Sequence, residues 1–109
     1  MKIKIKNKEV ELKLTYRALF IYENLRNQSL DTAMQIGMPF TESVIFMLAV
    51  VMASDKTLQV TLDDIFDVID NDPTVMNEFS DWLNKEMNRQ NFLSEQKEEV
   101  GNEEKKNLK

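Results

Sequence analysis

The first fourteen residues alternate. Met1-Lys-Ile-Lys-Ile-Lys6 and Glu9-Val-Glu-Leu-Lys-Leu14 each carry an apolar residue at every second position, with Asn7-Lys8 between them. A period of two is the repeat of a strand, and a two-residue break containing Asn joins two strands as a hairpin. Ile3, Ile5, Val10, Leu12 and Leu14 then share one face, and Lys and Glu occupy the other. A two-stranded ribbon cannot bury its apolar face by itself, so helices or a neighbouring subunit must cover it. That requirement, together with the helical periodicity of the chain after Leu14, gives an α+β fold.

Thr15 is the expected N-cap of a helix through about Asn27, with Tyr16, Leu19, Phe20, Ile21, Tyr22 and Leu25 as a broad apolar surface. Ser29 restarts a short helix as far as Gln35, which Ile36-Gly-Met-Pro39 breaks, because Pro39 disfavours helical backbone at Met38 and Gly37 is permissive. Thr41, with Glu42 and Ser43 in the first turn, opens a helix through about Ala53. Its middle, Val44 to Ala53, is apolar on every side, so this helix is either central or in an interface. The run is about half of what a bilayer-spanning helix needs, so no membrane span is expected. Leu58-Gln-Val60 reads as a short extended piece. Thr61 and Asp64 form an approximate capping box ahead of Leu62, Ile65, Phe66 and Ile69. Asp72 caps the last helix, with Pro73 at its first position and Val75, Met76, Phe79, Trp82, Leu83 and Met87 as its stripe, fading near Asn91 or Phe92. The expected architecture is α+β and mainly α-helical: an N-terminal β-hairpin followed by four or five helices. One domain spans 1–92, with the hairpin at 2–14 and the helical body at 15–92. A charged tail, 93–109, has too few aliphatic residues to offset chain entropy and is expected to be mobile.

Whole classes of chemistry are missing their parts. The 109 residues include no Cys and no His, which excludes thiol nucleophiles, disulfides, imidazole bases and His-containing triads. Gly37 and Gly101 are the only glycines, too few for a phosphate-cradling loop or a dinucleotide fingerprint. A net charge of -5 argues against a nucleic-acid partner. Charge is nevertheless graded: Met1 to Arg17 holds six basic and two acidic residues, and Ala18 to Gln90 four basic and twelve acidic. No secretory signal is read in the alternating N-terminal segment, and a cytoplasmic location is expected.

Asp63, Asp64, Asp67, Asp70 and Asp72 crowd one region, but they lack the alternation, central Gly and distal Glu of a calcium loop. They read as a solvated face with helix caps, so no metal, cofactor or catalytic residues are assigned. The aromatic residues fall mostly at helix spacing, which makes them core. The methionines Met34, Met38, Met47, Met52, Met76 and Met87 are spread through the helical region, where flexible thioethers fill cores and also suit grooves that accept an apolar partner. With the all-round apolar Val44 to Ala53, they suggest more apolar surface than one small monomer covers, hence a homo-oligomer or a captured partner. Self-association is expected through the hairpin edge and the Val44 to Ala53 helix.

The opening Met-Lys-Ile-Lys-Ile-Lys-Asn-Lys-Glu-Val-Glu-Leu-Lys-Leu-Thr-Tyr-Arg-Ala-Leu, with Glu23 a turn later, an acidic helical body and a charged tail, resembles the tail assembly chaperones of long-tailed, siphovirus-type bacteriophages. Their usual opening is similar: Ile-x-Ile-Asn-Gly-Lys-x-x-x-Leu-x-Phe-Thr. Here Lys6-Asn7-Lys8 has no Gly in the turn, and Leu14 stands where an aromatic is common. The likeness covers Met1 to Arg26 by motif and the remainder by architecture. It implies a non-catalytic protein of the bacterial host cytoplasm that assembles, coats the tape-measure protein, recruits tail-tube subunits and exists in a short and a frameshifted longer form. Lys105-Lys106 would permit an A-rich slippery run. Under this reading the exposed part of the Met76, Phe79, Trp82, Leu83 and Met87 stripe, with Met47 or Met52, receives apolar segments of the client. The alternative is a small DNA-binding regulator with Thr61 to Asn91 as a helix-turn-helix. Against it, Glu78, Asp81 and Glu86 outnumber Lys85 and Arg89 on the would-be recognition helix. An enzyme survives only as a carboxylate-metal hydrolase, the weakest of the three.

Overall fold

The computed structural model describes residues 1–90, so the end of the last helix at Asn91 or Phe92 and the tail 93–109 lie outside the described residues. An antiparallel hairpin, β1 (Lys2–Ile5) and β2 (Lys8–Glu11), is followed by five helices: α1 (Tyr16–Arg26), α2 (Leu30–Gln35), α3 (Phe40–Ser54), α4 (Leu62–Asn71) and α5 (Thr74–Gln90). The fold is α+β and mainly helical.

The hairpin turns one residue earlier than the alternation suggests, at Lys6-Asn7, where both residues have the positive φ of a type I′ turn (53° and 63°). Ile3 stands opposite Val10, and Lys2 and Lys4 opposite Glu11 and Glu9. Sliding the pairing by two residues would leave every apolar side chain on the same face, so the hydrophobic pattern does not choose between these registers. The observed one keeps Lys8 within β2, where its ammonium lies 2.5 Å from Asp55 at the end of α3.

α3 forms the centre. Val44, Phe46, Met47, Ala49, Val50 and Val51 are all but inaccessible to solvent, and the hairpin, α1 and α4 pack around it. Of the two readings of Val44 to Ala53, the central one holds. The chain itself covers this helix, so it offers little surface for self-association. α3 begins at Phe40, straight after Pro39, whose fixed φ of -56° starts the helix without a side-chain cap, and Thr41 lies inside the first turn instead of before it. Thr15 caps α1 through the Ala18 amide, and Asn27 closes it in the left-handed region. The Thr61 and Asp64 capping box is complete in both directions. Leu58-Gln-Val60 is loop, not strand.

α1 runs antiparallel to α3. At one end the Lys13 amide donates to Ser54 Oγ (2.9 Å), and at the other Tyr22 and Arg26 meet Glu42. Only Ala18 and Tyr22 of α1 are fully buried. Tyr16 and Phe20 face outward at 68% and 70% exposure, so these two aromatic residues, expected in the core, are not part of it.

Glu42 accepts from the Tyr22 hydroxyl (2.5 Å) and from Arg26 Nε and Nη2 (3.0 and 2.6 Å). The Arg26 hydrogen bonds, then the Tyr22 one, hold the Glu42 carboxyl below the usual range. Asp55 is lowered to about 2, first by Lys8 and then by Thr57. Burial, reinforced by Glu42, pushes Tyr22 up to about 12. Depressed carboxyls add stability that is present above the unfolded carboxyl pKa and lost as pH falls through the folded one. The raised Tyr22 adds stability that is lost as pH climbs from the ordinary phenol value near 10 toward 12. Urea midpoints should therefore be level from about pH 5 to about pH 9 and fall on both sides.

Candidate functional site

An open cleft of about 320 Å³ lies between the α2–α3 connection and the middle of α5. Met34 and Met38 stand on one side, Phe79, Ser80, Leu83 and Asn84 on the other, with Gly37 and Ser43 completing it. Phe79 and Leu83 are nearly sealed at its floor, so the two thioethers supply most of its apolar surface, beside the polar Ser43, Ser80 and Asn84.

Local sequence chemistry builds the wall. α2 ends in a Schellman arrangement: the Met38 amide donates to Ala33 O (2.9 Å) and the Gly37 amide to Met34 O (3.0 Å). Gly37 takes φ 88°, which a side chain rarely adopts, and Met38 follows at φ 52°. Left-handed backbone at a non-glycine residue costs on the order of 1 kcal/mol, and Pro39 prevents the helix from continuing. Ser43 Oγ donates to Met38 O (3.3 Å), tying this turn to the first turns of α3. The same connection leaves Ile36 62% and Phe40 58% exposed. Four apolar side chains, Met34, Ile36, Met38 and Phe40, are thus presented by seven consecutive residues.

The sequence candidates separate. Met47, Phe79, Leu83 and Met87 are core residues, and only Phe79 and Leu83 of these reach a cleft, as part of this one. Met52, Met76 and Trp82 are half-buried. Trp82 stacks tilted on Phe79 at 5.7 Å and lines a different groove, beside Leu12, Leu14 and Arg89. The structure does not bring the seven together as one surface. Ile36 and Phe40 escape a reading by periodicity because they lie outside any helical stripe. Their signal in the sequence is four apolar residues around a Gly-x-Pro break, more than a short connection can cover.

Two of the clustered aspartates serve the starts of α4 and α5. Asp64 accepts from the Thr61 amide (2.9 Å), which with its hydroxyl holds the carboxyl below its usual value, and Asp72 accepts from the Thr74 amide and hydroxyl (3.2 and 2.6 Å). Among the described residues no three carboxylates stand close enough together to hold a metal ion, and no helix is long and apolar enough to cross a membrane. Comparison with protein-family models, with curated proteins and with solved structures finds no match to this chain.

Proposed function

We propose that this chain is a non-catalytic binding protein that takes apolar side chains of a helical client into the Met34 and Met38 cleft. The observation that carries this reading is the coincidence of an open methionine-walled cleft with exposed Ile36 and Phe40 on the same connection. Exposed apolar groups on the connection that walls a cleft suit association with an apolar partner. Combined with the likeness of Met1 to Arg26, the specific role proposed is that of a phage tail assembly chaperone in the host cytoplasm, holding the tape-measure protein soluble and recruiting tail-tube subunits.

The protein also self-associates, on this proposal, through the same exposed rim. Self-association and client capture then compete for one surface, so added client should reduce the size seen by light scattering. A species whose size is unchanged by saturating client would separate the two surfaces.

The functional test is co-expression with a long helical protein of the tape-measure type. The wild-type chain should keep that client soluble, and an Ile36→Asn, Phe40→Asp double variant should not. Both positions are exposed, and a carboxylate in the first turn of α3 suits the helix dipole, so the variant should fold. A folded double variant that protects the client as well as wild type would reject the cleft as the client site. A wild-type chain with no effect on the client would reject the chaperone role.

A further inference from the structure

We infer that the outward face of α1 is a twofold interface on which a second copy of this chain docks its own α1 antiparallel. The face is separate from the methionine cleft and from the connection that carries Ile36 and Phe40, and it does not rest on the proposed function.

α1 has two unlike sides. Ala18 and Tyr22 are buried, and through that side the helix packs on α3. Away from it Tyr16 and Phe20 stand one turn apart, each more than two-thirds exposed. Single exposed apolar residues are ordinary, but two large rings at i and i+4 form a stripe. Charge flanks that stripe. Arg17 lies three residues before Phe20 and Glu23 three after it, each about 60° round the helix from the ring and both exposed. Neither Arg17 nor Glu23 has a hydrogen-bond or ion-pair partner for its side chain among the described residues, whereas Arg26 is spent on Glu42.

Charge and symmetry select the occupant. Along the helix the face runs basic, apolar, acidic, an order complementary to its own reverse. A copy laid antiparallel, with Phe20 at the twofold axis, sets ring on ring at the spacing of about 8–10 Å that packed helices need. It also brings each Arg17 level with Glu23 of the other copy, so two ion pairs flank the rings. A parallel copy would set Arg17 beside Arg17 and Glu23 beside Glu23. Opposed helix dipoles favour the antiparallel arrangement as well. Docking of α1 on the Ile36 to Thr41 connection of another molecule would leave both charges unanswered, because that segment carries none. One pair of 11-residue helices makes a small interface, so the dimer should form reversibly as concentration rises.

Sedimentation velocity of the full chain over a concentration series tests this. A monomer–dimer equilibrium is expected, and it should persist in the Ile36→Asn, Phe40→Asp double variant, which leaves α1 intact. Phe20→Glu should weaken the dimer by about tenfold or more. Arg17→Glu and Glu23→Arg should each weaken it comparably, because like charges then meet on both sides of the axis. Mixed together, these two variants should form a heterodimer, since two glutamates of one copy then face two arginines of the other. All three positions are exposed, and Glu suits the first turn of α1 and Arg its last, so the variants should fold. Raising the salt concentration should weaken the wild-type dimer and needs no variant. A wild-type chain that stays monomeric at high micromolar concentration overturns the proposal, as does a dimer untouched by Phe20→Glu. Charge variants that associate no better mixed than apart overturn the antiparallel pairing. A double variant that is wholly monomeric assigns self-association to Ile36 and Phe40 and overturns it too. So does a Phe20→Glu chain that dimerises normally but no longer binds an amphipathic helical peptide, which gives the face to the client.

Discussion

Replacing Phe46 with alanine should lower stability by about 3–5 kcal/mol, enough to leave a domain of this size barely folded. The ring is fully buried in the middle of α3, edge-on to Tyr22 at 5.4 Å and tilted against Phe79 at 6.3 Å. It therefore joins three helices, α1, α3 and α5, through aromatic contacts. The loss combines lost burial with a cavity that three regular helices cannot collapse to fill. Urea unfolding should show a lower midpoint, and thermal unfolding a fall of roughly 15–30 °C, since each kcal/mol is worth several degrees in a domain this small. A loss below about 1 kcal/mol would mean that α3 is not the centre of the core.

Glu42→Ala should be the next most damaging change, at about 2–4 kcal/mol. The carboxylate is nearly buried and accepts three hydrogen bonds. Without it the Tyr22 hydroxyl keeps Gln28 Nε2, which donates to it and, being a donor only, cannot accept the hydroxyl proton. The Arg26 side chain is 35% exposed and can turn its charge to water, which holds the loss below that of a sealed ion pair. Tyr22→Phe alone should cost about 1 kcal/mol, and in that background Glu42→Ala should cost less than in wild type. Denaturant unfolding of the four proteins gives the coupling directly. Additive losses would show that the hydroxyl and the carboxylate do not depend on each other.

Local chemistry is the most legible part of the sequence. Thr15, Ser29, Thr61 and Asp72 announce helix starts because a short oxygen side chain satisfies amides within three residues of itself, and such bonds form regardless of the rest of the fold. The hairpin face is legible for a similar reason, since its alternation is local. Its register is not, because Lys8 finds Asp55 across a gap of nearly fifty residues, and no periodicity records a partner that distant. Burial on α1 is misleading in the sequence because Tyr16 and Phe20 are apolar and regularly spaced, yet only one side of that helix meets α3. The cleft is half legible. Phe79 and Leu83 of its lining belong to a helical stripe and are marked by it, while Ile36 and Phe40, on the connection beside it, sit where the chain reverses, and their exposure depends on tertiary placement alone.

Client binding at the Met34 and Met38 cleft can be read from the methionines themselves. Methyl-labelled Met34, Met38, Met47, Met52, Met76 and Met87 can be followed by NMR while an amphipathic helical peptide with an apolar stripe is added. Met34 and Met38 line the cleft, Met47 and Met87 are sealed in the core, and Met52 and Met76 lie half-buried away from it. A guest seated in the cleft should shift Met34 and Met38 saturably and leave Met47 nearly still, and the Ile36→Asn, Phe40→Asp double variant should lose that response. Saturable shifts confined to Met52 and Met76, or none at any methionine, would contradict the account.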